Sequence, residues 1–593
     1  VTSNHRCHGH FIGATGNWRG LIDELIGNAE GVCAGIGSSQ HLCATNFMSN
    51  GQQGGMLPVA AGIALDRKVK DTGNVVVSFI GEGTLGEGIV YETFNLDALW
   101  DLPHVIICEN NFYSQSTAQA RSVAGSILER AAGFGIAATA ANTWDLPNFD
   151  RILEQTIERA RKQHKPAFIV VQTYRLNPHS KGDDQRDRGE IEWFRAHDPA
   201  SLAVSDYQSF RALYEQYVAE ADEQISLGLA KATLPPTSYF LDQLPRAPKD
   251  AAVQWRALPA VPEDRRIAQQ LNGFFHDWLA RDEDVFFIGE DIEDPYGGAF
   301  KISKGFTTAF AGRAITTPIS EAAITGIGVG LAVAGRRPFI EIMFGDFITY
   351  AFDQIVNNAS KIYNMYNRQL DCPLVVRTPM GGRRGYGPTH SQSLERFLHG
   401  IDNVCLLGLN SLISVAQQLA GLEGLRCPVV LIENKADYAN KVFSCPEGFA
   451  LESDGAALPM LRITPQGAEP TVTLLAYGGI ARLVADGLLE IFERTDQVPE
   501  LLVPIILSPL NPGPIAASVR RTGRLVVIEE GAGTGSVGAE AISQVSELVG
   551  GSFSVARAAG KPMAIPSVPA LEAAALPSLE DICAAVLTAC AEV

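Results

Sequence analysis

The 593-residue sequence has no CxxC pair and no cysteine cluster at zinc-ligand spacing; its ten cysteines are scattered. A disulfide framework and a structural zinc site are thereby excluded as organising devices, and a reducing, cytoplasmic setting is expected. Long hydrophobic runs are missing too. The longest apolar stretch, Ala322 to Gly335, is bounded by Glu321 and Arg336; it is too short to cross a bilayer and reads as a buried helix, so no membrane is expected as a partner. Positive charge is in deficit: 47 Lys and Arg stand against 66 Asp and Glu, a formal charge of −19. Such a balance repels phosphate backbones and anionic lipid surfaces, so nucleic acid is not expected either. No signal-peptide pattern stands at Val1, and the chain opens directly on a motif taken up below, so a further amino-terminal part is expected ahead of it.

What is present is an ordinary globular composition, 46% hydrophobic and 19% charged, over a length that implies roughly three or four domains. Strand-like runs alternate with amphipathic helices, as in Val75 to Ile80, the helix after Gly86, and His104 to Cys108. That alternation predicts α/β architecture with a parallel sheet. Proline then accumulates at Pro235, Pro236, Pro245, Pro248, Pro259 and Pro262, the composition of a linker. A second alternating segment starts near Arg265, with Val285 to Ile288, Phe339 to Met343 and Leu374 to Val376 as strands. A third begins near Thr471 with TVTLLAYG and includes RLVVIEE at Arg524 to Glu530. The expected domains are 1–234, a linker over 235–262, 263–455 and 456–593.

The strand VVVSFI runs into GEGTLGEG at Gly81 to Gly88, and in the helix that follows Val90, Phe94 and Ala98 share a face. Glycines let the backbone approach a phosphate, and a helix amino terminus offers amide donors and a favourable dipole. Gly533, Gly535 and Gly538 repeat the spacing after another strand, so for either stretch a tight turn that binds nothing is an equal reading. The first stretch has a partner in the next strand, which ends in ENN at Glu109 to Asn111. In a parallel sheet both carboxyl edges open on one crevice. Glu82, the Asn111 amide oxygen and a nearby carbonyl suit a hard cation such as magnesium with phosphate oxygens in its shell. A dinucleotide site would use Glu109 on a ribose and leave Glu82 repelling the pyrophosphate, which favours metal plus diphosphate.

GEG followed, 29 positions after Glu82, by the second Asn of NN resembles the thiamine diphosphate motif. GEGIVYETFNLDALWDLPHVIICENNFYSQST resembles the alpha subunit of the decarboxylating first component of 2-oxoacid dehydrogenase complexes. The resemblance implies magnesium (Mg2+) on Glu82, Asn111 and the Tyr113 carbonyl, and diphosphate at the amides of Gly83 and Thr84. The family usually has Asp where this chain has Glu82, whose extra methylene carries the carboxylate about 1.5 Å further. SNHRCHGH is similar to the family's YRxHG, so Arg6 would clamp the diphosphate, with His5 in place of Tyr. TYRLNPHSKGDD at Thr173 to Asp184 resembles the family's mobile loop: His179 matches a catalytic histidine, Arg175 a phosphate contact, and Asn177 replaces the loop's first His. NGQQGGMLPVAAGIA, Asn50 to Ala64, resembles the stretch beside the aminopyrimidine ring, which brings in Gly51 and Gln53. Gln52 and Gln53 stand where the family tends to be apolar. Either the substrate carries an extra polar group, or these amides bond the cofactor or backbone.

The cofactor requires a buried carboxyl group against its pyrimidine nitrogen, and TTPISEAAITGIGVGLAVAG offers Glu321 at a helix start. The run from Phe286 to about Gln392 resembles the beta subunit of the same family. That likeness puts Glu321 on the activating glutamate, with Ile319 beside it in PISE. It also puts Phe347 of EIMFGDFITYAFDQ against the pyrimidine, His390 of GPTHSQS on an active-site histidine, and Glu290 of FIGEDIEDPYGGAF on a proton-relay acid. From Thr471 the chain resembles that subunit's transketolase-like C-terminal domain. The fold class implied is therefore two parallel-sheet, thiamine diphosphate-binding α/β domains plus that third α/β domain. The activity implied is decarboxylation of a small 2-oxoacid and transfer of the acyl or hydroxyalkyl fragment to a lipoyl-bearing acyltransferase, in a homodimer with two sites. Carboligation, loading of a carrier protein, a catalytically degenerate scaffold and a dinucleotide enzyme are the rival readings.

Overall fold

A computed structural model describes residues 1–180, 182, 184–231, 233, 253–258 and 263–591. Most of the proline-rich linker expected over 235–262, including all six of its prolines, lies outside the described residues. The chain forms two compact units. One comprises Val1–Phe240, Ala322–Arg336 and Asp353–Cys372; the other comprises Leu241–Glu321, Arg337–Phe352 and Pro373–Val593.

The first unit is built on a seven-stranded sheet in the order Cys43–Ala44, Phe47–Ser49, Thr2–Ser3, Val76–Gly81, His104–Asn110, Ala167–Gln172, Ala137–Asn142. All neighbours pair in parallel except the first two strands. Its central strands are apolar on both faces because helices cover both. Ile106 and Cys108 pack with Val90 and Phe94 of helix Gly88–Leu99, where Ala98 joins the same cluster. Val105 and Ile107 point the other way, onto Ile152, Ile157 and Ala160 of helix Leu146–Gln163. The apolar stretch read as a buried helix is one, Glu321–Val333, with Ile324, Ile327, Val329 and Leu331 fully buried. Helix Met56–Val69 crosses it so closely that a Cβ on Gly62 would sit 2.2 Å from the Ile327 carbonyl oxygen. Arg336 Nε, just beyond the helix, donates to Asp66 Oδ1 at 2.6 Å.

The second unit holds two seven-stranded sheets. The first of them runs Ala314–Thr317, Val285–Glu290, Arg337–Glu341, Val375–Met380, Val429–Asn434, Cys405–Gly408, Ile506–Ser508, parallel up to its last strand. The other runs Arg256–Ala257, Phe449–Ser453, Met460–Pro465, Pro499–Pro504, Val472–Ala476, Arg524–Ala532, Ser554–Gly560. Only its second half is parallel; the pairs from Arg256–Ala257 to Pro499–Pro504 are antiparallel. The alternating segment expected from Thr471 supplies the parallel half, and the antiparallel half is built by strands that precede it. Phe449–Ser453 and Met460–Pro465 are joined by six residues, too few for the crossover that parallel neighbours need, so they form a hairpin. Pro569–Cys590 is apolar and long enough to pass for a membrane span by composition. It is two helices broken at 576–578, and Ile582, Cys583, Val586 and Ala589 of the second belong to a hydrophobic core.

Candidate active site

In the first unit the carboxyl ends of strands Val76–Gly81 and His104–Asn110 open on a cavity of about 510 Å³. Arg6, Gly51, Gln53, Glu82, Gly83, Thr84, Asn111, Tyr113, Arg175 and His179 all line it. Every site residue expected in the alpha-like part is therefore brought to one place from five separated stretches. Glu82 opens a single 3-10 turn, Glu82–Gly86, directly after its strand. Among the described residues its buried carboxylate accepts long bonds from the Asn111 amide at 3.4 Å and from Ser114 Oγ at 3.3 Å. Burial accordingly pushes the Glu82 carboxyl above its ordinary value, against the opposing pull of those bonds and of the Arg175 charge. Asn111 and Tyr113 flank Phe112, whose φ of 67° turns the chain sharply back after the strand, and Asn111 Oδ1 accepts from the Tyr113 amide at 3.1 Å. A Cβ on Gly83 would fall 2.2 Å from Ser114 Oγ, so glycine is required there by packing alone.

The cationic wall comes from Arg6 and Arg175. Arg175 donates to the Gln115 carbonyl at 2.7 Å, and Arg6 donates to the His179 carbonyl. Arg186 braces the loop between them by bonding the carbonyls of Arg175 and Asn177 while paired with Asp184. That pairing holds the Asp184 carboxyl down at about 2. Gln53 Oε1 accepts from Thr84 Oγ1 at 2.7 Å, its amide nitrogen lies 2.9 Å from His5 Nδ1, and His5 Nε2 lies 3.1 Å from His179 Nε2. Gln52 donates to Asp353. Both glutamines thus bond protein groups, Gln53 through both ends of its amide and Gln52 through its nitrogen alone, its Oε1 being buried with no hydrogen-bond partner among the described residues. Sequence reasoning missed Ser114 and Gln115; the polar run YSQST after ENN was the available signal. It also missed His5 as a bonding partner, because nothing local joins residues 5, 53, 84 and 179.

In the second unit, Glu290 ends its strand buried and accepts from the Ser320 amide at 3.0 Å, next to Glu321 at the start of its helix. Ile319, one residue earlier, is 84% exposed. His390 is enclosed by aromatic rings, with centroids 4.7 Å from Phe344 and 5.2 Å from Phe347, and its Nδ1 lies 2.9 Å from Thr389 Oγ1. A larger cavity of about 740 Å³ also lies in this unit, around Leu458, Met460, Ile505 and Leu510; its only charged lining residues are acidic (Asp454, Glu540 and Glu547). That chemistry does not suit a phosphate.

The 510 Å³ cavity does suit one. Among the described residues no three His, Cys, Asp or Glu side chains converge as a metal site. A divalent ion here would rest on one carboxylate, neutral oxygens and ligand phosphates, which is the habit of magnesium. An under-compensated buried carboxylate facing two guanidinium groups fits that arrangement.

Residues 1–221 match the family model "Dehydrogenase E1 component", residues 266–440 "Transketolase, pyrimidine binding domain" and residues 463–582 "Transketolase, C-terminal domain". The chain is 33% identical over 375 residues to pyruvate dehydrogenase E1 component subunit beta-1, mitochondrial, of Oryza sativa subsp. japonica, covering 61% of this chain and 97% of that protein. Over 334 residues it is 31% identical to pyruvate dehydrogenase E1 component subunit beta of Rickettsia conorii, covering 55% of this chain and 98% of the relative. It is also 38% identical over 189 residues to the alpha subunit of acetoin:2,6-dichlorophenolindophenol oxidoreductase of Bacillus subtilis, covering 31% of this chain and 57% of the relative. The chain therefore belongs to the E1 family of thiamine diphosphate-dependent 2-oxoacid dehydrogenases, with an alpha-type and a beta-type part consecutive in one polypeptide.

Proposed function

We propose that this enzyme decarboxylates a small 2-oxoacid and passes the acyl fragment to a lipoyl-bearing acyltransferase, working as a cytoplasmic homodimer with thiamine diphosphate and magnesium. The observation that carries the reading is the convergence of Arg6, Glu82, Asn111, Arg175 and His179 on one cavity. Glu82, Asn111 and the Tyr113 carbonyl hold the magnesium ion. Arg6, Arg175 and the amides of Gly83 and Thr84 hold the diphosphate, where positive charge and backbone donors offset its charge. By the family resemblance Gly51, Gln53, Ile319 and Phe347 would flank the aminopyrimidine, Glu321 would keep a proton in a hydrogen bond to that ring, and Glu290 would relay protons to it. His179 and His390 orient the substrate carboxylate and move protons to and from the reacting fragment. Bound thiamine diphosphate supplies a nucleophilic ring carbon and a sink for the electron pair released with carbon dioxide.

The test is carbon dioxide release across a panel of 2-oxoacids, paired with a thiamine diphosphate titration with and without magnesium. Magnesium-dependent binding and turnover of at least one 2-oxoacid are expected; no binding would leave a catalytically degenerate scaffold. Glu321→Gln should still bind cofactor while turnover falls by about 10²–10⁴-fold, and full retained activity would remove Glu321 from its role. One observation favours a second reading: a relative of the alpha-type part is named for acetoin and an artificial dye. A 2-hydroxyketone donor would reduce the dye without releasing carbon dioxide, which the same assay separates.

A further inference from the structure

We propose that His5 is a positioning residue that, oriented by Gln53 and Thr84, fixes which nitrogen of His179 carries the proton. The inference rests on the reading that His179 serves the substrate in this cavity. Thr84 Oγ1 donates to Gln53 Oε1 at 2.7 Å, which turns the NH₂ of Gln53 toward His5 Nδ1, 2.9 Å away. An amide NH₂ has only protons to offer, so Nδ1 carries the lone pair and the single proton of the neutral His5 ring sits on Nε2. That proton points to His179 Nε2 at 3.1 Å. Two N–H groups cannot face each other, so His179 accepts at Nε2 and keeps its own proton on Nδ1. The result is a neutral histidine whose proton sits on Nδ1, a buried atom, with Nε2 held as the acceptor.

The wire works only while His5 is neutral, and its surroundings keep it so. Burial first, then the positive charge of Arg6, lower His5 to about 4. Arg6 adds a second hold on the same residue, because its guanidinium donates to the His179 carbonyl. Arg175 and Glu82 are the other charged groups lining this part of the cavity alongside Glu109. Adjacent residues 5 and 6 thus grip the ring and the backbone of His179, and the polarity of the whole chain of bonds follows from the orientation of the Gln53 amide between Thr84 and His5. Reversing the Gln53 amide would reverse every donor along it.

The experiment uses the 593-residue, cofactor-free chain with ¹⁵N-labelled histidine. Long-range ¹H–¹⁵N correlation spectra at neutral pH report which ring nitrogens are protonated, and His5→Phe and His179→Phe assign two of the 11 histidines. The wild type is expected to show His5 protonated on Nε2 and His179 on Nδ1. Gln53→Glu replaces the donor by an acceptor and should invert both rings, with kcat in the reconstituted enzyme at saturating cofactor reduced by about 10²-fold. Thr84→Val, which frees the Gln53 amide to turn, should give mixed tautomers and serves should the glutamate variant not fold. The opposite pattern in the wild type, or a His179 that does not respond to either substitution, overturns the proposal without touching the cofactor reading. Loss of thiamine diphosphate binding by the wild type would instead sink the cofactor reading, and the tautomers of the cofactor-free protein would stand.

Discussion

Gly81, Gly83 and Gly86 repeat the spacing of Gly533, Gly535 and Gly538, each set lying between a strand and a helix, and the two turns treat the helix amino terminus in opposite ways. In the later turn the protein fills the space itself. Glu529 Oε1 accepts from the Gly538 amide at 2.8 Å and from Tyr477 Oη at 2.7 Å, while Oε2 accepts from Ser536 Oγ and from Arg557, both at 2.8 Å. An internal carboxylate thus stands where an anionic ligand would go. In the earlier turn the carboxylate comes one residue after the strand, on a cavity wall, where its bonds among the described residues are long. What separates a structural glycine-rich turn from a ligand site is therefore where the nearest carboxylate sits, a feature outside the glycine pattern.

The comparison breaks most easily at Glu529. Glu529→Ala leaves the Gly538 amide and the Tyr477 hydroxyl without their buried acceptor, and a loss of about 1.5–3 kcal/mol is expected by chemical denaturation, with the thiamine diphosphate affinity of the folded fraction unchanged. Glu82→Ala should do the reverse. Magnesium-dependent binding should weaken by more than the roughly 10–100-fold that loss of an outer-shell partner costs in a calorimetric titration, while the cofactor-free protein loses no stability. If Glu529→Ala lowered affinity, or Glu82→Ala unfolded the chain, the contrast between the turns would be false. The glycines themselves should matter less. Gly83→Ala drives a Cβ onto Ser114, and Gly538→Ala drives one to 2.4 Å from Val527 Cγ1 and 2.6 Å from Glu529 Cδ; each should cost about 1–3 kcal/mol. Adding Ser114→Gly should relieve the first and leave the second unaffected.

The parallel sheets were legible in the sequence because strands covered on both faces read as continuous apolar runs: Val75 to Ile80, His104 to Cys108 and Arg524 to Glu530 all became strands within about two residues. The alpha-like half of the site was legible for a related reason. Residues at the ends of adjacent parallel strands must face one crevice, so Glu82 and Asn111 could be joined without coordinates. The antiparallel hairpin at Phe449–Ser453 and Met460–Pro465 was not, because its half-buried strands lack that apolar continuity. Nor were Glu529 and the bonds from Thr84 through Gln53 and His5 to His179, since those partners lie far apart in sequence and no periodicity links them. The same glycine spacing appeared twice with nothing local to tell the two apart.

The smallest effect is on pH dependence, and it sharpens the contrast at the earlier turn. The carboxyl of Glu82 sits above its ordinary value in the cofactor-free protein because it is buried. The folded state therefore binds this proton more tightly than the unfolded chain does. Its contribution to stability is present below the unfolded value of 4.5 and is lost as pH rises through the folded one. His5 has the opposite sign: lowered from 6.5 to about 4, it contributes stability above 6.5 that is lost as pH falls toward 4. Denaturation midpoints of the cofactor-free enzyme across this range should accordingly respond to two substitutions in different ways. Glu82→Gln should remove a loss that develops on the alkaline side of 4.5, and His5→Phe should remove one that develops on the acid side of 6.5. Saturating thiamine diphosphate with magnesium should abolish the first effect in the wild type, because a bound cation stabilises the Glu82 carboxylate that burial penalises. A midpoint profile unchanged by Glu82→Gln would mean that this carboxylate is as well compensated as that of Glu529, and the two turns would no longer differ.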